Sequence, residues 1–165
     1  MSNNANSADV IIVGAGVVGC ATAYYLARQG THVLVLDEES VGSKASFHAT
    51  GLLTPWQESD NPAVRELFNG SLKLTKELLP RLNEETGVDT LYQTGEALRV
   101  ALTEQQVERG RAIAGRAGMD GTRLAFMDGD EARRLEPRLS PNVLGALWAD
   151  RFGQLAATAT VASQR

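Results

Sequence analysis

DVIIVGAGVVGCATAYYLARQGTHVLVLD, residues 9 to 37, reads as a strand, a helix and a second strand built around a glycine pattern. The apolar run Val10 to Val13 leads straight into Gly14-Ala15-Gly16-Val17-Val18-Gly19. An Ala- and Leu-rich helical pattern follows to Gly30, and a second apolar run from His32 to Leu36 stops at Asp37. Gly14 permits a tight strand-to-helix turn, Gly16 lets backbone approach a pyrophosphate, and Gly19 lets the helix press against the strand. The free N–H groups and positive dipole end of that helix face the phosphates. Seventeen residues separate Gly19 from Asp37, the distance at which an acid ending the second strand accepts hydrogen bonds from adenosine ribose hydroxyls. A 2′-phosphate would be repelled there, so NADP is disfavoured. Glycine pattern, strand, helix and terminal acid together predict a βαβ dinucleotide-binding unit.

Composition bounds the rest. At 165 residues, with 43% hydrophobic and 22% charged residues, the chain is an ordinary globular sequence with room for one core. A net charge of −4 lacks the basic footprint of a nucleic-acid binder. The single cysteine, Cys20, excludes an internal disulfide and a cysteine-rich metal site, and is expected to pack. Two histidines, His32 and His48, make no metal site. The polar start MSNNANSAD has no basic signal-peptide region, and no apolar run reaches the ~18 residues of a spanning helix. The expectation is a cytoplasmic protein without a transmembrane segment.

Beyond Asp37, the small polar loop Gly42-Ser43-Lys44-Ala45-Ser46 belongs beside the nucleotide mouth. Asn61-Pro62 opens a helix reaching Glu85, with Val64, Leu67, Phe68, Leu72, Leu74, Leu78 and Leu79 at three- and four-residue steps. Pro80 is expected to kink or divide it, and Gly87 to end it. Two short strands are expected around Leu91-Tyr92 and Ala97 to Leu102, with Thr94-Gly95 turning between them. Thr103 caps a helix running to about Ala117, Leu124 to Met127 reads as a strand, Asp128 caps a helix over 130–135, and Leu144 to Trp148 reads as the last strand.

The GAGVVG fingerprint with Asp37, GSKASFHATGLLTP at 42–55, YQTGEALRVAL at 92–102 and LEPRLSPNVLGALW at 135–148 together resemble the D-amino-acid-oxidase-like family of FAD-dependent oxidoreductases, and its glycine oxidase branch in particular. The resemblance runs in order over about the first 155 residues. It implies an α/β fold: a Rossmann-like FAD-binding βαβ unit with the start of an α+β substrate domain, truncated. It divides the chain into the N-terminal part of the FAD-binding domain at 1–60, a helical segment at 61–90, the start of a substrate or cap domain at 91–150, and a divergent tail at 151–165.

By the same resemblance FAD is the cofactor. Gly14, Ala15, Gly16, Val17, Val18 and Gly19 form the phosphate turn, Asp37 and Glu38 hold the adenosine ribose, Ala45 and Ser46 reach the pyrophosphate, and Gly51, Leu52 and Leu53 lie along the flavin. The implied reaction is oxidation of a C–N bond in a small amino acid or amine by hydride transfer to flavin, the flavin carrying the chemistry. No catalytic residue falls within this chain. Relatives continue for at least as long again, with the arginine that clamps the substrate carboxylate in the later half, so a missing C-terminal half is expected and the 165 residues alone are expected to be inactive. The other readings are a non-catalytic nucleotide-binding fragment and an NAD-dependent dehydrogenase. A homo-oligomer stays open, as do the substrate and the electron acceptor.

Some related enzymes attach flavin through a histidine, but His48 is read first as a solvent-facing loop residue. Arg133, Arg134 and Arg138, beside Glu131 and Glu136, read as a solvated ion-paired face. Trp148 reads as core, and Trp56 as a neighbour of the flavin loop. The apolar stripe of the 62–85 helix needs a partner surface.

Overall fold

The continuous apolar, β-branched-rich runs Val10–Val13 and Val33–Leu36 give two short strands, β1 and β2, paired in parallel with Val10 opposite Val33 and Val13 opposite Leu36. A parallel pair needs a crossover, and helix α1, Val17–Arg28, supplies it. The computed structural model describes residues 7–56, 58–116, 118–157 and 160. It falls into two units: residues 1–51, 78–92 and 155–165 form the first, and 52–77 and 93–154 the second.

In the first unit, Ala15 and Cys20 are buried against Val35 and Val41. Cys20 packs as the sequence suggests, its Sγ 3.4 Å from the Ala15 carbonyl oxygen. The opposite face of the strand pair is bare: Ile11, Leu34 and Leu36 are exposed, and Val13 is 85% exposed. Leu78, Leu79 and Leu82 are buried, and Glu85 on the same helical stretch accepts hydrogen bonds from Tyr24 Oη at 2.8 Å and Arg28 Nη1 at 2.6 Å. The helix carrying these residues, α2, is Pro62–Thr86. Pro80 does not divide the helix, which runs through it as one element. Its start and end match expectation: Asn61 Oδ1 accepts the Ala63 N–H at 3.0 Å, and Gly87 turns the chain at φ +70°. Its stripe is only partly covered, with Leu72 buried and Leu67 70% exposed.

The second unit is an antiparallel sheet centred on β6, Gly145–Gln154. Around it pair β3 (Leu52–Leu53), β4 (Gln93–Ala101) and β5 (Leu124–Asp128). Of the two strands expected over 91–102, the first does not form, since Leu91 and Tyr92 lie outside any strand, and a single strand covers the rest. Thr94 and Gly95 lie inside β4, paired with Gly153 and Phe152, and the register shifts between Gly95 and Ala97. The glycine serves a bulge rather than a turn. β6 also outruns its expected end at Trp148 by six residues, because small residues, Ala149 and Gly153, let it stay buried between partners. Within it Ala146, Leu147 and Ala149 are fully buried, whereas Trp148 is only half-buried and pairs its Nε1 with Glu96 at 3.4 Å.

Helices α3 (Glu104–Ala114) and α4 (Gly129–Leu135) each open on a full capping box, Thr103 with Gln106 and Asp128 with Glu131. The last helical residue of α3, Ala114, falls three residues before the expected end, with Gly115 as the cap. Arg133 and Arg138 pair with Asp130 at 2.7 Å and Glu136 at 2.9 Å, so the α4 face is ion-paired and solvated, with Glu131 spent on the cap.

Candidate cofactor site

The glycine loop between β1 and α1 has a distinct constraint at each of two positions. Gly14 sits at φ +106°, a conformation open to glycine. A Cβ at Gly19 would lie 1.9 Å from the Gly14 carbonyl oxygen, so the first turn of α1 rests directly on the loop. That turn, Val17-Val18-Gly19-Cys20, has no acidic residue, and Gly16 gives it no side-chain cap. The Cys20 N–H is spent on the Gly16 carbonyl at 2.9 Å, which leaves the Val18 and Gly19 donors for an external acceptor.

Three contacts tie the loop to its surroundings. Ala15 donates its N–H to Asp37 Oδ2 at 2.6 Å, and its carbonyl accepts the Gly42 N–H at 2.8 Å. Ser46 Oγ accepts the Val17 N–H at 3.0 Å. One residue, through its own N–H and C=O, thus bridges the end of β2 to the 42–46 loop, and the same loop returns a hydroxyl to the N-terminus of α1. Sequence reasoning named Ala15 but not the linking role of Gly42; its place after an acidic run, at φ +72°, is the signal that marks it.

Asp37 also accepts the Glu39 N–H on Oδ1 at 3.0 Å. The Ala15 amide first, then that of Glu39, holds its carboxyl below the usual carboxylate range. A carboxylate has about four lone-pair positions, so two bonds leave acceptor capacity for a pair of vicinal hydroxyls. Glu38 is engaged by Lys44 Nζ, an ion pair that raises the Lys44 amine, with Glu39 3.8 Å from the same nitrogen.

Of the remaining sequence candidates, Val18 and Ala45 are exposed, and Gly51 takes φ +71° with its virtual Cβ 1.9 Å from the Leu155 carbonyl oxygen. In the second unit, Leu52 and Leu53 pair as β3 with Gln154 and Gly153. His48 is exposed and edge-on to Phe47, centroids 5.2 Å apart, as a solvent-facing loop residue should be. Trp56 lies 6.0 Å from the Phe152 ring.

These residues fit an ADP-bearing cofactor: a helix N-terminus with no acidic residue in its first turn, a glycine cradle that a Cβ at Gly16 would fill to within 3.3 Å of Ser46 Oγ, and a pre-set carboxylate. Residues 9–164 match the family described as FAD dependent oxidoreductase, DAO. The chain belongs to that family. This DAO-family chain is 31% identical over 139 residues to a glycine oxidase of Bacillus licheniformis, covering 84% of itself and 36% of that protein. It is 28% identical over 150 residues to human mitochondrial dimethylglycine dehydrogenase, covering 90% of itself and 17% of the relative. The structure of glycine oxidase from Bacillus cereus ATCC 14579 superposes with a TM-score of 0.82 at 32% identity, over 96% of this chain and 42% of the other. The DAO-family chain therefore spans well under half the length of these relatives.

Proposed function

We propose that the chain is the cofactor-holding part of a flavoenzyme that oxidises the C–N bond of a small amino acid or amine, in the manner of a glycine oxidase or a D-amino-acid dehydrogenase. The observation that carries the cofactor reading is residue Ala15, whose N–H is bonded to Asp37 and whose carbonyl is bonded to the Gly42 N–H. In this reading the Gly14–Gly19 turn and Ser46 bind the pyrophosphate, with Val17 exchanging its bond to Ser46 for one to a phosphate oxygen. Asp37 and Glu38 orient the ribose. Ala45 flanks the pyrophosphate, and Gly51 with the Leu52-Leu53 strand that directly follows lends backbone to the flavin. Bound flavin supplies the two-electron acceptor for amine oxidation. The chain's own residues contribute placement and exclusion of water, and no proton transfer is assigned to any of them.

Support for the amine-oxidising reading comes from the family and from the glycine oxidase and dimethylglycine dehydrogenase similarities. Because the 165 residues alone are expected to be inactive, its test is anaerobic titration of the FAD-loaded full-length protein that contains this chain with glycine, sarcosine, proline and D-alanine. Bleaching of the flavin band by at least one of them is the expected result. A flavin that none of the four reduces, while an amine-free donor such as a 2-hydroxy acid does, would overturn the assignment.

A further inference from the structure

In the second unit a cavity of about 670 Å³ has an apolar floor of Trp56, Ile113, Met119 and Leu124. Its rim carries Asp60, Arg65, Glu66, Asn69 and Arg116. Two of the four rim charges, Asp60 and Arg116, are already committed. Arg116 Nη2 pairs with Asp60 at 2.5 Å, and Arg109 adds a contact at 3.4 Å, which together hold the Asp60 carboxyl below its usual range. Arg65 spends only Nη1, on the Ser59 and Asp60 carbonyls at 3.2 and 2.9 Å.

Two rim groups are left over. The Nη2 and Nε edge of Arg65 and the Glu66 carboxylate have no partner among the described residues. They are adjacent on α2 and opposite in sign. A guanidinium edge matches a carboxylate by paired N–H donors, whereas a free carboxylate matches an ammonium group. Neither a simple anion nor a simple cation satisfies both. The floor beneath them suits an apolar side chain, and the fixed geometry of Arg65, held by the 58–60 backbone, lowers the cost of ordering it.

We propose that this cavity binds a free α-amino acid with an apolar side chain, its carboxylate on Arg65, its ammonium on Glu66 and its side chain against Trp56 and Met119. The site is built from the second unit alone and does not depend on the flavin reading. The volume is ample for such a ligand, since small-molecule sites begin at roughly 300 Å³.

The test uses the full chain free of flavin, so that its failure says nothing about FAD. Leucine is titrated by calorimetry beside isovalerate, which lacks the ammonium, and isopentylamine, which lacks the carboxylate. Saturable leucine binding at least about tenfold tighter than either single-charge analogue is expected, with R65Q and E66Q each weakening it by about tenfold. No leucine binding to the unsubstituted protein overturns the proposal. So does binding that either analogue matches, or that R65Q and E66Q leave unchanged while circular dichroism shows both variants folded.

Discussion

Asp37 accepts the backbone N–H of Ala15 at 2.6 Å across 22 residues of sequence, joining the tip of the second strand to the centre of the glycine loop. The same carboxylate that the sequence marks as a ribose acceptor is also a structural brace. Its substitution should therefore weaken cofactor binding twice over, through lost ribose bonds and through a looser loop. D37N is expected to lower FAD affinity by about ten- to a hundredfold, the worth of one or two charge-assisted hydrogen bonds. Flavin fluorescence titration measures it, and an unchanged affinity would remove Asp37 from the site.

The pH dependence follows with a definite sign. The Asp37 pKa is lowered in the folded chain, chiefly by the Ala15 amide. Its contribution is thus complete above the ordinary Asp value near ~3.9 and is lost as pH falls through the lowered folded value. Thermal stability attributable to Asp37, read as the difference between the unsubstituted chain and D37N, should be flat from about pH 5 to 9 and shrink only below about pH 4. A difference that vanishes on going from pH 7 to 5 would contradict the brace.

Glycines divide by mechanism. G19A places a methyl on the Gly14 carbonyl, whose oxygen lies 1.9 Å from the virtual Cβ, and should cost about 1–3 kcal/mol or more. G70A lies in α2, where nothing stands within 4 Å of a Cβ, and should stabilise by up to about 1 kcal/mol. Urea denaturation separates them: opposite shifts in midpoint are expected, and shifts of one sign would refute the packing account.

Much of this arrangement was legible in the sequence because it depends on local chemistry. Gly14 and Gly19 mark backbone geometry, and Thr103 and Asp128 announce helix starts that the two capping boxes bear out. What was not legible is pairing at long range. Thr94-Gly95 has the composition of a turn, yet β6 captures it as a bulge within a single strand. Pro80 is tolerated inside α2, whose Leu79 and Leu82 on either side are fully buried. The clasp of Asp60 by Arg109 and Arg116 spans 49 and 56 residues, beyond any local pattern.

The bare face of the β1–β2 pair leads to a further expectation. Ile11, Val13, Leu34 and Leu36 form a contiguous apolar surface on the 165-residue chain. The double variant V13T/L36T should reduce binding of a hydrophobic fluorescent dye and reduce self-association in sedimentation. Its melting temperature should stay within a few degrees, since both side chains point to solvent. A large fall in melting temperature would mean that the face is covered.

The central claim, that the Gly14–Gly19 turn, Asp37 and Ser46 form an FAD cradle, is tested most directly by titrating the purified, flavin-free chain with FAD, NAD and NADP while following flavin fluorescence and calorimetric heat. The account predicts saturable binding of FAD at one site per chain, tighter than NAD, with NADP weakest because its 2′-phosphate meets the Asp37 carboxylate. Preference for NAD over FAD, or no binding of FAD by a folded chain, would contradict it.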